Sequence, residues 1–126
     1  MRAYPTSAVL LDAVVRYLRA DGPAASNSAF NMRVSVNILD LVARELRQQD
    51  VATAHEHQRL VDLLGEGDLD ALRDLLCARI ADGTIDSNNP VMLEHLRLTT
   101  LDRVAIDQPR YSAYRRAREN QDTGKV

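Results

Sequence analysis

Two arginines on predicted helical faces that are otherwise apolar have the clearest capacity for chemistry. Arg79 lies among the leucines of one predicted helix, and Arg97 lies among the leucines and valine of the next. The N–H groups of a guanidinium form a planar fork, so an arginine can bind both oxygens of a carboxylate or phosphate. Asn37 adds an amide that can hydrogen-bond to such a group. These three residues are therefore candidate ligand-binding residues for an anionic small molecule.

A second interpretation of both arginines is structural. A buried charge without a partner is strongly destabilising, so each arginine should pair with a carboxylate or with open carbonyl groups. Arg97 lies three residues after Glu94, which is the spacing of an ion pair along a helix. Arg79 lies near a predicted helix C-terminus, where a guanidinium can donate to the last carbonyls. Pairing within the chain, pairing across a subunit interface, a ligand pocket and simple exposure on a misjudged helix face all stay open.

Four other polar residues fall on apolar helical faces: Asn31, Ser35, Glu45 and His57. Ser35 is expected to donate its hydroxyl to the carbonyl oxygen one turn earlier. Asn31 and Glu45 are separated by about 21 Å along a straight helix, so they cannot share one small site. His57 is interpreted as a hydrogen-bonded core residue. An enzyme that uses Glu45 or His57 as a base is a third, weaker hypothesis, because neither has a recognisable nucleophile or metal partner. We assign no catalytic residue.

One short segment, His55-Glu56-His57, resembles a metal-binding motif. Residues two apart on a helix point in directions about 200° apart, so the two imidazoles cannot share an ion. The sequence contains neither the His-Glu-x-x-His spacing of zinc enzymes nor a glycine-rich phosphate loop. Cys77 is the single cysteine and lies near the edge of an apolar face, which favours a small core residue. We predict no metal and no cofactor.

Composition bounds the class of protein. The chain has 126 residues, 45% of them hydrophobic and 4% aromatic, with no Trp. A chain of this length buries enough surface to need neither a disulfide nor a metal. A net charge of −2 argues against a surface that binds nucleic acid. One cysteine, no signal peptide and no long apolar run predict a cytoplasmic protein without a membrane partner.

Hydrophobic periodicity predicts five helices and no strand. The predicted segments are about 7–20, 28–49, 52–64, 69–82 and 90–107. Residues 21–23 end the first helix, and Asn27 or Ser28 caps the second. Asp68 and Asn89 are the expected caps of the last two. The predicted fold is an all-α, five-helix bundle with mostly antiparallel neighbours. It forms one domain over 1–109, followed by a basic, partly disordered tail over 110–126.

The predicted helix over 28–49 is the long central helix of this bundle. Its apolar side chains cover roughly two thirds of its circumference, whereas a surface helix has one narrower apolar stripe. It is therefore predicted to be surrounded on most sides, either inside a bundle or at a subunit interface. The helix over 90–107 is also expected to be well buried.

Four segments together resemble a bacterial family of small helical proteins of unknown function: 10–19, 29–46, 72–86 and 92–111. The clearest marker is the sequence Ile-Asp-Gln-Pro-Arg-Tyr at 106–111. A second marker is the spacing of Arg33, Val34, Asn37, Arg44 and Glu45. Asn31 takes the place at which that family often has a histidine. Members are often encoded beside aminoglycoside-phosphotransferase-like proteins and acyl-CoA dehydrogenases, so the resemblance implies an accessory role in acyl-CoA or phosphotransfer metabolism.

The leading functional hypothesis is a non-catalytic helical protein that forms a homodimer and binds a protein partner. It rests on the two very apolar helices and on the lack of a catalytic constellation. Asp107, Arg110 and Tyr111 are expected to dock on a neighbour, because Tyr and Arg commonly anchor interfaces. The partner implied by the resemblance is phosphotransferase-like or acyl-CoA dehydrogenase-like. The alternative is a binder of a carboxylate or phosphate ligand that uses Arg79, Arg97 and Asn37.

Overall fold

A computed structural model describes residues 5–20 and 28–124, and within those ranges it contains α-helices and no strand. Its five helices are α1 (Ser7–Ala20), α2 (Ser28–Leu64), α3 (Leu69–Ala81), α4 (Pro90–Asp107) and α5 (Ser112–Thr123). The prediction of an all-α fold with five helices is confirmed. The predicted helix end at 21–23 and the cap at Asn27 lie outside the described residues.

Two helix boundaries differ from the prediction. The predicted helices 28–49 and 52–64 form the single helix α2, so the bound at 49 is wrong. No Gly or Pro lies between Leu46 and Leu64, so nothing in the backbone interrupts the helix. The fifth helix is α5, which lies in the segment predicted as a tail and contains several alanines and arginines, both good helix formers.

The predicted caps of α3 and α4 are confirmed. The Asp68 side chain accepts a hydrogen bond from the Ala71 N–H at 2.8 Å at the start of α3. The Asn89 side chain accepts from the first turn of α4, where Pro90 is the first residue. Gly83 follows α3 with φ of +82°, a left-handed conformation that glycine adopts without steric cost.

The chain divides into two compact units between Gln49 and Asp50, inside α2. The first unit contains α1 and residues 28–49 of α2. Ser7 Oγ donates to Glu45 Oε2 at 2.9 Å, so the start of α1 lies beside the far end of this part of α2. Parallel helices would then place Ala20 about 45 Å from Ser28, beyond the roughly 28 Å reach of the connecting residues. The two helices therefore run antiparallel, as a helical hairpin.

The second unit contains the rest of α2 with α3, α4 and α5. Its core consists of Leu60, Leu72, Leu76 and Met92, and Leu60 is 0% exposed. Hydrogen bonds join Glu56 to Arg73 and, one residue later on α2, His57 to Gly67. Later positions on α2 therefore lie beside earlier positions of the next segment, so α3 runs back antiparallel along α2.

The expectation that segment 28–49 is surrounded by protein within one chain is wrong. Phe30 is 63% exposed and Leu46 is 75% exposed, while Ser35 and Val42 are buried. The antiparallel α1 covers one side of this segment, and one helix covers only one stripe of another. The prediction for 90–107 is also wrong on one side, because Val91 is exposed on α4. A central position inside a one-chain bundle is excluded, whereas the interface interpretation stays a prediction.

Candidate functional site

The second unit buries two polar side chains that contact arginines. Glu56 on α2 is 8% exposed and His95 on α4 is 4% exposed. A buried polar group needs a hydrogen-bond partner, because water no longer satisfies it. Each of the two therefore belongs to a small network, and the networks link α2 to α3 and α2 to α4.

The first network is an ion pair between Glu56 and Arg73. Arg73 donates from Nε to Oε2 at 2.9 Å and from Nη2 to Oε1 at 2.6 Å. Burial raises the pKa of Glu56, but the hydrogen bond and charge of Arg73 outweigh it, so the pKa lies below its usual value. A weaker contact of 3.4 Å joins Arg73 to the exposed Asp70. Glu56 is thus ionised at neutral pH and fixes α3 against α2.

The second network joins Arg59 on α2 to His95 and Thr99 on α4. Arg59 Nε donates to His95 Nδ1 at 3.1 Å, and Arg59 Nη2 donates to Thr99 Oγ1 at 3.0 Å. Since Nδ1 accepts, the imidazole carries its proton on Nε2. Burial and the charge of Arg59 lower the pKa of His95, although Glu56 opposes them, so the ring is neutral at pH 7. Both acceptors of Arg59 are therefore uncharged.

Hydrogen bonds inside these networks occupy the atoms that could act as a base. His95 Nδ1 is occupied by Arg59, and the Glu56 carboxylate is occupied on both oxygens by Arg73. Neither group faces a nucleophile within the described residues. Arg59 forms no ion pair with a carboxylate in the part of the chain that the structure describes. Its half-buried charge is therefore the one feature of the networks that suits an anion.

The first unit carries an exposed apolar surface, which we call the hairpin face. It consists of Leu11, Val15 and Leu18 on α1 and Met32, Val36, Leu39 and Leu46 on α2. Most of these residues directly follow a buried or half-buried residue in the seam between the two helices, such as Leu10, Val14, Asn31 or Ser35. One residue turns the helix by about 100°. Because the helices are antiparallel, that turn brings both stripes to the same side of the hairpin.

Residues 22–111 match DUF6285, which is described as a domain of unknown function. The chain belongs to the DUF6285 family. The matched range contains α2, α3 and α4, and therefore both polar networks, but leaves out α1 and α5. The predicted resemblance to a helical family of unknown function is confirmed over this range, and over 10–19 it stays a prediction. No curated protein and no solved structure matches the chain.

The predicted ligand residues of this DUF6285 protein lie on three different helices, and their role as one site stays a prediction. Arg79 on α3 is half-buried, and Arg97 on α4 is exposed rather than buried. Asn37 is exposed and belongs to the first unit. The prediction that Arg97 projects into an apolar face is wrong, because that side of α4 is open to solvent.

Arg97 has two polar partners. It donates to Glu94 at 2.9 and 2.6 Å, as its spacing predicted, and its hydrogen bond holds the pKa of Glu94 below the usual value. The Gln121 amide, oriented with its oxygen toward the guanidinium, accepts from Arg97 at 3.0 Å. This contact joins the middle of α4 to the end of α5. The arginine is thus engaged by neighbouring side chains, which favours the pairing interpretation.

The predicted structural residues occupy hydrogen-bonded positions. Ser35 Oγ donates to the Asn31 carbonyl at 2.8 Å, which confirms the predicted bond one turn back. Glu45 accepts from Ser7 within the hairpin. His57 Nε2 donates to the Gly67 carbonyl at 2.8 Å and so closes the turn between α2 and α3.

The predicted interface residues lie where α4 leads into α5. Asp107, Arg110 and Tyr111 are all exposed, and the Tyr111 N–H donates to the Gln108 carbonyl at 3.0 Å. Their role at an interface stays a prediction. Cys77 is exposed, so its assignment to the core is wrong. It directly follows the buried Leu76 and is turned about 100° away from that residue.

Sequence reasoning missed Glu56, Arg59 and His95. Glu56 lies between two histidines that attract attention as ligands, yet it precedes the buried Leu60 by one helical turn. His95 lies between Met92 and Thr99 at helical spacings of three and four, the pattern of a stripe facing a neighbouring helix. Reading polar residues as part of the buried stripe would have found both, though not the arginine that each contacts.

None of the described helices is long and apolar enough to cross a membrane. Residues 5–20 and 28–124 also contain no group of three or more His, Cys, Asp or Glu side chains that could hold a metal ion. The features of this DUF6285 protein that call for a functional explanation are therefore the hairpin face and the charge of Arg59.

Proposed function

We propose that this DUF6285 protein is a non-catalytic helical interaction protein that self-associates through the hairpin face. The observation that carries the proposal is the exposure of seven large apolar side chains on one side of two helices. Monomeric soluble proteins rarely expose a contiguous apolar surface of this kind.

The hairpin also lacks a core of its own. Among its described residues the buried large apolar ones are Val14 and Val42, while five times as many large apolar residues of the same two segments are exposed, including Phe30 and Leu46. Two antiparallel helices bury little surface, whereas four helices enclose a continuous core. Two hairpins that join through their faces would make such a four-helix arrangement.

The wider role that we propose is that of an accessory protein in the bacterial cytoplasm. The resemblance to proteins encoded beside phosphotransferase-like proteins and acyl-CoA dehydrogenases supports a protein of one of these kinds as the partner. Asp107, Arg110 and Tyr111 are exposed and suit the contact with that partner. Purified homodimer and each candidate partner, mixed and analysed by size-exclusion chromatography, should co-elute. Tyr111→Ala should weaken that complex and leave the homodimer intact.

The test of self-association is the molar mass of the full chain by light scattering and sedimentation. The wild-type protein should be a dimer, and Val36→Asp should be a monomer because it places a charge in the centre of the hairpin face. Val91→Asp is the matched control, since Val91 is an exposed valine on α4 of the second unit. A wild-type monomer at high micromolar concentration would overturn the proposal, as would equal loss of the dimer in both variants.

A second candidate function, anion binding, is favoured by Arg59 rather than by the arginines predicted from sequence. Arg59 is half-buried, its two acceptors are neutral, and Thr99 presents a hydroxyl beside it. The ligand class is a carboxylate or a phosphate. Inorganic phosphate or acetate should raise the melting temperature of the wild type and of Arg97→Gln, but not of Arg59→Gln. Equal responses in wild type and Arg59→Gln would exclude this site.

A further inference from the structure

Charged residues border the hairpin face in a regular pattern. Asp12, Arg16 and Arg19 lie along the outer edge of the α1 stripe, and Arg33, Asp40 and Arg47 lie along the outer edge of the α2 stripe. Each directly follows a residue of the face, and all are exposed. Asp12 and Arg19 are seven residues apart, as are Arg33 and Asp40, which is two turns. They occupy the flanking positions that carry interhelical ion pairs in coiled coils.

The contact between Ser7 and Glu45 sets the levels of these charges along the hairpin. Asp12 lies five residues after Ser7 and Asp40 lies five residues before Glu45, so the two acids lie at the same level. Arg19 and Arg33 each lie twelve residues from that contact and also share a level. The hairpin face thus has two acids at one level and two arginines about 10 Å further along the helices.

A two-fold axis can bring this face onto itself in two ways when the helices stay aligned as in a four-helix bundle. A two-fold axis parallel to the helices leaves every residue at its own level along the hairpin. Asp12 then meets Asp40 of the second copy, and Arg19 meets Arg33. An axis across the helices reverses the levels, so acids meet arginines. Like charges that face each other are repulsive, so the second arrangement is the more self-complementary one. It brings Arg16 opposite Arg16 of the second copy, but it pairs all four acids of the dimer with arginines.

We propose that the partner of the hairpin face is a second copy of this chain, related by a two-fold axis that crosses both helices. In this dimer α1 packs antiparallel on α1 and α2 packs antiparallel on α2. Asp12 pairs with Arg19 of the second copy, and Arg33 pairs with Asp40, each twice. A depression of about 470 Å³, lined by Asp12, Val15, Arg16, Arg19 and Ala20, leaves room for a side chain of the second copy. The inference rests on the proposed function and adds the partner and its orientation.

Charge reversal distinguishes the two arrangements. Asp12→Lys should weaken the dimer about tenfold at low salt, because it turns two attractions into two repulsions. Asp12→Lys combined with Arg19→Asp should restore the dimer, because the pairs are re-formed in the opposite sense. Sedimentation over a dilution series measures the dissociation constants. Asp74→Lys, on the exposed side of α3, is the control and should leave them unchanged.

The outcomes distinguish failure of the proposed self-association from failure of the proposed orientation. A wild-type monomer defeats the proposed function itself. A wild-type dimer that Asp12→Lys tightens or leaves unchanged defeats only the orientation, since the lengthwise axis would place the new cation opposite Asp40. A disulfide cross-link tests the orientation independently of charge. Val15 lies near the crossing axis, so Val15→Cys in a Cys77→Ser background should form a disulfide with the same position of the second copy on mild oxidation. Failure to cross-link in a dimer would overturn the orientation.

Discussion

The two halves of helix α2 have opposite surroundings. Residues 28–49 expose Phe30 and Leu46, whereas the later half buries Leu60 completely in the core of the second unit. The seam of the first half contains Asn31, Ser35 and Glu45, so polar groups lie inside while apolar groups lie outside. The second half encloses its own core. The comparison supports the proposal that the first unit offers an interface, since the second unit has an enclosed core and the first has almost none.

A leucine-to-alanine substitution should change the free energy of unfolding very differently in the two units. Leu60→Ala should reduce the free energy of unfolding by about 3 kcal/mol at any protein concentration, because it opens a cavity in a closed core. Leu46→Ala should have a small effect on a dilute monomer and a larger one at high concentration, where the dimer forms. Urea unfolding at two concentrations measures both. Equal, concentration-independent losses would abolish the contrast between the two units.

The ion pair of Glu56 and Arg73 is expected to make the next largest contribution to the free energy of unfolding. Glu56→Gln should reduce the free energy of unfolding by about 2 kcal/mol, because it leaves a guanidinium without its charged acceptor. Asp70→Asn is the matched control and should lose less than about 0.5 kcal/mol, since that carboxylate is exposed and further from Arg73. A loss for Asp70→Asn that equals the loss for Glu56→Gln would show that the buried contact has no special weight.

Local features of this fold follow from the sequence because they depend on neighbouring residues. The caps at Asp68 and Asn89, the left-handed Gly83 and the pair of Glu94 and Arg97 all rest on spacings of four residues or fewer. Helix type is predicted for the same reason. The prediction ends a helix at Gln49, although no Gly or Pro follows there to prevent its continuation.

The surroundings of a helix face do not follow from periodicity. An apolar arc shows that a face is suited to burial, but not which element covers it, so Phe30 and Val91 were expected inside and are exposed. Periodicity does not predict the buried networks either, for the converse reason. Arg59 and His95 are 36 residues apart, and nothing local shows that they meet. Polar residues were judged as exceptions on apolar faces, whereas Glu56 and His95 belong to the buried stripes themselves.

The smallest expected effect is a pH dependence of the second unit. Burial and Arg59 lower the pKa of His95 in the folded state, so the unfolded chain takes up its proton first as the pH falls. His95 therefore stabilises the fold above its unfolded pKa, near 6.5, and this contribution is lost as the pH falls through the lower folded pKa. Glu56 stays ionised in this range, because its pKa lies below 4.5.

The measurement is the free energy of unfolding between pH 8 and about 5.5, a range that brackets the ordinary histidine pKa. The wild type and His55→Gln should lose stability in parallel as the pH falls, because His55 is exposed on α2. His95→Gln should show a smaller slope, whatever its absolute stability. Nitrogen NMR of the imidazole gives an independent check, since Nδ1 should stay unprotonated at pH 7. Equal slopes in wild type and His95→Gln, or a protonated Nδ1, would contradict the network and leave the second unit defined by its apolar core alone.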